Sequence, residues 1–526
     1  MATIQEMMIR FGLDQYVPEG EGNVIAFRVR MDEWVSVCQS LSSGKGLRFL
    51  TMVATDDRKA DGLFRVFVCF GVPKENLFLM PYITIDRAVP TFPSLVSVIH
   101  QASLYEREIY SFFGLVPEGH PDLQRLRLHD DFPDDVFPLR KDFDGTSHPV
   151  GRTATPHTFR KVEGEGIYEI PVGPVHAGII EPGYFHFTVL GEEVLAFEAK
   201  LGYVHKGIEK LFESKGIDDQ VRLAERVSGD SSVAHALAFA QGAEALAGIS
   251  VPLRAQYIRM VCAELERLAN HLNDMAFIML DTGFSFGGSH GTRLRERMMQ
   301  WQEKIAGSRH GRGMIVFGGV GQDIPTELVD ALAGDLELFE KDFEEIISAS
   351  MESDSLLNRL KRTGTLEKEI ALDHGVTGVA IRALGVESDA RIDFPYAAYE
   401  SVQFSVPTET TGDVYARLFV RIREIRSSFR ILNQVLSLLP GEGGDLVGVR
   451  LPLRPKSIAL GIAEGWRGDI VYCLFSDASG QITRVKVRDP SFLNWQIFPY
   501  ILGNDVVPDF PLINKSFNLS YSGNDL

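Results

Sequence analysis

Cysteine is scarce in this chain: four in 526 residues, at positions 38, 69, 262 and 473, and no two of them form a CxxC pair. That spacing excludes zinc-ribbon and iron-sulfur ligand sets and reads as reduced, mostly buried thiols. No stretch approaches the roughly 20 apolar residues needed to span a bilayer, and the first 16 residues carry Glu6, Arg10 and Asp14 where a signal peptide would have an apolar core. These absences predict a cytosolic chain that meets a membrane only through a partner. There is no basic block, and the net charge of -18 excludes a general nucleic-acid binder, which would present a basic face. The glycines of Gly283-Phe-Ser-Phe-Gly-Gly288 form no G-x-G-x-x-G behind a strand, so no nucleotide site is expected there. Internal repeats and low-complexity tracts are also missing.

What remains is an ordinary globular composition, 45% hydrophobic and 24% charged, in a chain too long for one core. Asn23 to Val29, Leu47 to Val53 and Leu63 to Phe70 read as strands. Amphipathic helices fit Met31 to Leu41 and Val96 to Phe113, which makes residues 1–145 a compact α/β domain. Residues 146–165 are a linker rich in Gly, Pro, Ser and Thr. Within 166–526, Gly166 to Val172 and Tyr184 to Phe197 read as strands, about 240 residues up to Leu439 read as helical, and period two returns from Ser457 to Val487 with Asp477 to Gly480 as a hairpin turn. The fold class expected is α+β: an N-terminal α/β domain, then a helical bundle flanked by small sheets.

Three sets of residues carry a family resemblance. Tyr105-Glu-Arg-Glu-Ile-Tyr-Ser-Phe-Phe-Gly-Leu115, Gly119-His-Pro-Asp-Leu123 and Pro138-Leu-Arg-Lys141 resemble, in order, the C-type or thirty-kilodalton family of respiratory complex I. From Gly173 onward, Gly202-Tyr-Val-His-Lys-Gly-Ile-Glu-Lys210, Glu264-Leu-Glu-Arg-Leu-Ala-Asn-His271, Gly318-Gly-Val320, Arg467-Gly468 and Arg484 to Phe492 resemble the D-type or forty-nine-kilodalton family and the large subunit of group 4 membrane-bound hydrogenases. Finally, Glu225-Arg-Val-Ser-Gly-Asp-Ser-Ser232 and Asp489-Pro-Ser-Phe-Leu-Asn494 resemble the paired ER(V/I)CGxC and DPCxxC motifs that hold nickel and iron in nickel-iron hydrogenases.

All four thiolates are absent, replaced by Ser228, Ser231, Ser491 and Asn494. A hydroxyl or an amide does not replace a soft, anionic thiolate for such a metal, so no metal is expected on this chain. The quinone contacts that the complex I resemblance implies are absent too: in gap-free alignment His176 falls on the first histidine of that family's GPxHPxxHG pattern, Ile180 on the quinone-binding histidine, and Gly229 on the quinone-contacting tyrosine. The resemblance is therefore to the energy-converting hydrogenase-related type. Mature nickel-iron enzymes commonly end soon after the second cysteine pair, once maturation removes an extension; here the chain runs on from Asn494 to Leu526, compatible with no insertion step.

Around the inferred cavity the polar residues are His176, Glu181, Ser228, Asp230, Ser231, Asp489, Ser491 and Asn494. Burial would pull the carboxyl pKa values towards neutrality and let His176, Glu181, Asp230 and Asp489 bind a polar head group or relay protons. In the structural alternative Asp230 and Asp489 pair with Arg226 and Arg488 and the serines cap helices. Lys206 and His271 match positions that, in complex I, lie beside a partner's 4Fe–4S cluster, where an imidazole tunes the potential.

The expected role is that of a peripheral-arm subunit of an oxidoreductase complex on the cytoplasmic face of the inner membrane. Its partners would be a small iron-sulfur protein like the B component of complex I, a ferredoxin-like protein, and H-like and antiporter-like membrane proteins. Electrons would pass from the partner's cluster to a quinone or another small acceptor, coupled to ion translocation. The rival expectation is a non-catalytic scaffold that couples conformational change to transport.

Overall fold

Apolar alternation in the first hundred residues builds a five-stranded sheet in the order Pro18–Glu19, Val24–Arg28, Leu77–Asp86, Leu63–Val72, Arg48–Asp56. Val24–Arg28 runs parallel to Leu77–Asp86, with Phe27 opposite Pro81, and the other pairs are antiparallel. This computed structural model describes residues 4–20, 22–43, 46–146, 153, 155–176 and 180–526. Three of the strands coincide with those expected. The central strand Leu77–Asp86 was not among them, because Pro81 interrupts it and residues 78 to 83 are buried without alternation. Helices form at Trp34–Ser42 and Ala102–Phe113, the second starting six residues later than the pattern suggested.

One face of the sheet is covered by these helices through Trp34, Cys38, Tyr105 and Phe112. The other face meets a second sheet made by the far end of the chain. Ile458–Gly465, Gly468–Ser476 and Ile482–Arg488 form a three-stranded antiparallel sheet, and Leu460, Ile462, Cys473 and Phe475 share one apolar cluster with Ala26, Val53, Phe67 and Met80. Asn23 fixes the join: its Nδ2 donates to Leu460 O at 2.8 Å, and its Oδ1 accepts from Leu460 N at 3.3 Å. Part of the expected linker, residues 147–152 and 154, lies outside the described residues. Thr155 bonds Asp134, His157 N donates to Asp130, and Arg160 N donates to Glu198, so this stretch is tied to both sides.

The helical region is a bundle of Ser232–Ala247, Leu253–Asp281, Ser285–Ala306, Thr326–Met351 and Val414–Leu438. It is less continuous than expected, since only short helices lie between 351 and 414 and a two-stranded ribbon joins Ile315–Val316 to Gly319–Val320. The stretch from Tyr184 also divides, into the hairpin Tyr184–Leu190 and Glu193–Lys200. Gly287 and Gly288 allow close helix packing: a Cβ there would come within 2.3 Å of Met279 Sδ and Leu280 Cγ, respectively.

A very close backbone contact lies between Ser232–Ala247 and Ile458–Gly465. A Cβ on Gly461 would sit 1.9 Å from Ala238 O and 2.5 Å from Gly242 N, so helix backbone rests directly on strand backbone. A rigid carbonyl cannot give way as a flexible side chain can. Gly461→Ala is therefore expected to lower stability by about 1–3 kcal/mol or more, read as a fall in the denaturation midpoint of the full chain; an unchanged midpoint would refute the contact.

Candidate functional site: the two degenerate motifs

The N-terminus of Ser232–Ala247 carries the first motif, and the helix Pro490–Asn494 carries the second. Ser228, Ser231, Ser491 and Asn494 are each at most 2% exposed. Between the motifs runs the segment Ser520 to Leu526. Ser228 Oγ lies 2.9 Å from Ser520 Oγ, Ser491 Oγ accepts from Ser520 N at 2.9 Å, and Ser520 Oγ caps the helix Tyr521–Asp525 by accepting from Gly523 N. A Cβ on Gly523 would lie 2.5 Å from Asp489 Cγ. Leu526 O accepts from Lys206 N and Ile208 N, and Val204 N donates to Asp525 Oδ2. The inferred cavity at the serines is therefore closed over by the chain's own last residues, a long-range contact that local patterns do not encode.

Asp230 is the accessible edge of the cluster, with 41% of its side chain exposed. Arg467 Nη1 and Nη2 donate to its Oδ1 and Oδ2, both at 2.7 Å, and Ser228 Oγ donates to Oδ1 at 2.9 Å. Burial among the surrounding protein raises the carboxyl pKa, but the Arg467 charge and these bonds outweigh it and hold the group at about 2. Asp489 is fully buried, and its pKa is also lowered: burial raises it, while the hydrogen bond to His235 at 3.1 Å, the Arg467 charge and the Ser491 side chain pull it down. The expectation that burial would bring these carboxyls towards neutrality is thus corrected by the Arg467 charge and the hydrogen bonds they accept. The partners themselves differ from the sequence neighbours. Arg226 pairs with Glu225 and Arg488 with Asp469.

Arg467 stands in the two-residue turn between Gly465 and Gly468, at the tip of a hairpin, with its guanidinium 3.8 Å from the Trp466 ring centroid. Trp466 Nε1 and Asn270 Nδ2 both donate to Asp230 O. Arg467 and His235 carry the site; the sequence marks Arg467 only as part of the Arg467-Gly468 family segment, not as the partner of Asp230, and does not mark His235 as a site residue. The Gly-Trp-Arg-Gly turn was the signal that could have exposed Arg467.

The remaining expected residues separate. Gly229 is exposed, beside Arg312. Lys206 Nζ donates to Arg226 O at 2.7 Å and Val227 O at 3.0 Å, bracing the chain just before Ser228; burial lowers its pKa. Glu181, exposed, accepts from Ser522 N at 3.0 Å and so reaches the cluster through the closing segment. Ala177, Gly178 and Ile179 of the His-Ala-Gly-Ile-Ile-Glu-Pro-Gly stretch lie outside the described residues. His176 stacks on Phe185 with centroids 5.5 Å apart, and neither of its buried ring nitrogens has a partner among the described residues. Asn494 is a tie, its Oδ1 accepting from Thr377 N and its Nδ2 donating to Thr377 O.

His271 is fully buried in an ionic core. Its Nε2 lies 2.6 Å from Glu424 Oε2, Glu424 Oε1 lies 2.7 Å from Arg382 Nε, and Arg382 Nη1 lies 2.8 Å from Glu464 Oε1. Burial lowers the His271 pKa against the pull of Glu424, so the neutral ring donates from Nε2 and leaves Nδ1 without a partner among the described residues. Its ring stands edge-on to Trp466 at 6.3 Å, which links it to Arg467 and Asp230.

The residues at the four thiolate positions do not fit a nickel-iron centre. Ser228 bonds Asp230 and Ser520, Ser491 accepts from Ser520, and Asn494 holds Thr377, so these oxygens and the amide are already engaged and none is a soft anion.

Glu266 is the proton-holding group beside the site. Its oxygens accept from Val233 N at 2.7 Å and Ala234 N at 3.1 Å at the start of Ser232–Ala247, yet burial dominates and raises its pKa to about 8.

Comparisons with known proteins agree with this architecture. The respiratory-chain NADH dehydrogenase 30 kDa subunit model matches residues 27–149, and the 49 kDa subunit model matches residues 281–448 and 449–525. Formate hydrogenlyase subunit 5 of Escherichia coli is 31% identical over 502 residues, 94% of this chain and 88% of that protein. The C/D subunit of NADH-quinone oxidoreductase from Bdellovibrio bacteriovorus is 28% identical over 83% of this chain and 82% of its own. A chain in the solved membrane-bound sulfane sulfur reductase, an archaeal respiratory membrane complex, superposes with a TM-score of 0.65 at 26% identity, covering 69% of this chain and 99% of that one. The chain belongs to the family of fused 30 kDa and 49 kDa complex I subunits and group 4 hydrogenase large subunits. Those relatives are subunits of oxidoreductase complexes, and among the described residues here no helix is long and apolar enough to cross a membrane.

A carboxyl whose pKa is higher folded than unfolded contributes stability that is complete below its unfolded value, 4.5, and is lost as pH rises towards about 8. Glu266→Gln should accordingly flatten the stability profile of the full chain between pH 5 and 8. An unaltered pH slope in denaturation midpoints would show that Glu266 does not titrate there.

Proposed function

We propose that this chain is the peripheral-arm subunit of a membrane-bound, complex I-like redox assembly, in which electrons from a cluster on a small iron-sulfur partner pass to a quinone or another small acceptor beside Asp230. The transfer is coupled to ion translocation by H-like and antiporter-like membrane partners, and a ferredoxin-like partner supplies the electrons. The chain sits on the cytoplasmic face of the membrane. The donor cluster belongs to a partner, because the four cysteines here are separate, free and buried, with thiol pKa values pushed up by burial.

The observation that carries this reading is the half-open Asp230–Arg467 fork at the edge of an otherwise closed motif pair. Ionised and held in place, Asp230 is a fixed hydrogen-bond acceptor for a polar head group and not a proton donor. From it a hydroxyl series runs inward through Ser228, Ser520 and Ser522, with Ser520 Oγ and Ser522 Oγ 3.3 Å apart, and ends where Ser522 N meets Glu181. Lys206 braces the first motif, and His271 stands behind Trp466. Burial of the serines by Ser520 to Leu526 favours the second reading, a scaffold whose closed site transmits conformational change without redox chemistry.

The tagged chain recovered from detergent-solubilised membranes should bring a small cluster-bearing protein, a ferredoxin-like protein and antiporter-like membrane proteins. Recovery without any iron-sulfur protein would sink electron transfer and leave the scaffold. In the intact complex, the combined variant Asp230→Asn, Glu181→Gln, His176→Ala is expected to lower acceptor reduction by on the order of 100-fold; undiminished turnover, with the complex assembled, would assign this chain a structural role.

A further inference from the structure

Two imidazoles from the two halves of the chain meet outside the site already described. His100 lies on an exposed turn just before the helix Ala102–Phe113, and His374 follows the helix Lys368–Asp373. Their Nε2 atoms are 3.2 Å apart across a sequence separation of 274 residues. His374 Nδ1 lies 2.9 Å from Ile370 O, a carbonyl that only accepts, so Nδ1 carries the proton and Nε2 presents its lone pair towards His100. Tyr500 packs edge-on against the His374 ring at 5.0 Å and helps to fix its plane.

We propose that His100 and His374 form a binding site for a borderline divalent transition-metal ion of the zinc type. Two zinc–imidazole bonds of about 2.0–2.1 Å at a tetrahedral angle place their nitrogens about 3.3–3.4 Å apart, close to the separation already present. The Ile370 carbonyl supplies the outer hydrogen bond that orients a ligating histidine and sets its tautomer. Among the described residues no third histidine, cysteine or carboxylate completes the set. Water fills the other positions, which makes the site exchangeable and not a permanent structural centre. His100 is exposed, so the ion has an entry path.

Position gives the ion something to act on. It would tie the N-terminal domain to the loop after Lys368–Asp373, and Thr377, three residues beyond His374, is held through its N–H and C=O by Asn494 of the second degenerate motif. A metal at the surface would thus stiffen the backbone that braces that motif.

The test uses the full chain carrying a histidine-free tag, stripped with chelator and titrated with zinc against a chromogenic competitor. Cobalt serves as a second probe, through its visible absorption. One zinc equivalent should bind, cobalt should give a tetrahedral-type spectrum, and zinc should raise the thermal midpoint because the unfolded chain has no such site. His100→Gln and His374→Gln should each weaken that equivalent by about 100-fold or more, since loss of a direct ligand costs at least as much as loss of an outer-shell partner. His100→Gln lies on an exposed turn and keeps the fold testable. Unchanged affinity and stoichiometry in both variants, or no such equivalent in the parent chain, would overturn the proposal and leave a neutral imidazole hydrogen bond.

Discussion

Everything at the degenerate motifs depends on one backbone contact, the seating of Ser232–Ala247 on Ile458–Gly465 through Gly242 and Gly461. Because two glycines meet, the helix lies closer to the strand than any side chain would allow. The helix then delivers the first motif at its N-terminus. The strand continues into the Trp466-Arg467 turn, which aims a guanidinium at Asp230, and the sheet's last strand leads directly to Asp489 and the second motif. The opposite face of the same sheet packs on the N-terminal five strands, so the N-terminal domain also helps to hold the site in place.

Within that frame each acid is sorted by what faces it. Asp230 meets a bidentate guanidinium and Asp489 meets His235, and both stay ionised although burial opposes it. Glu266 meets backbone N–H groups, a like charge on Asp230 and a smaller pull from the Arg267 charge, so burial prevails and the proton remains. Deeper in the bundle Glu424 and Glu464 show the same rule. Glu424, facing Arg382 and His271, is driven far down, while Glu464, buried and crowded by Asp389, rises to about 7. Burying charge is costly even when paired, and several buried ion pairs gather near Trp466 and Arg467.

The elements legible in the sequence were those encoded locally. Period-two runs marked three strands of the first sheet, and the Asp477 to Gly480 turn marked the last hairpin. Leu77–Asp86 escaped because a doubly buried strand containing proline lacks the alternating signature. Motif residues were found because their spacing survives the loss of cysteine. Their partners were not, since Arg467 is 237 residues from Asp230, His235 is 254 from Asp489, and Ser520 is 292 from Ser228. Charge pairing guessed from sequence neighbours pointed to Arg226 and Arg488, both of which are committed elsewhere.

Replacing thiolates with hydroxyls changes more than the affinity for metal. Four thiolates pressed together carry negative charge and require a cation among them, whereas two serine hydroxyls are neutral and both donate and accept. Ser228 and Ser491 can therefore bond a third serine directly, and Ser520 bridges them, its hydroxyl to one and its N–H to the other. Once bridged, the space is shut, with Gly523 against the Asp489 carboxylate and Tyr521 against Trp495. Chemistry at the old metal position would have to displace a helix turn with its hydrogen bonds already made. Chemistry at Asp230 requires no displacement, because that carboxylate is oriented by Arg467 and still partly open to solvent. With hydroxyls at these positions, the accessible polar contact lies at the edge of the first motif and not between the two.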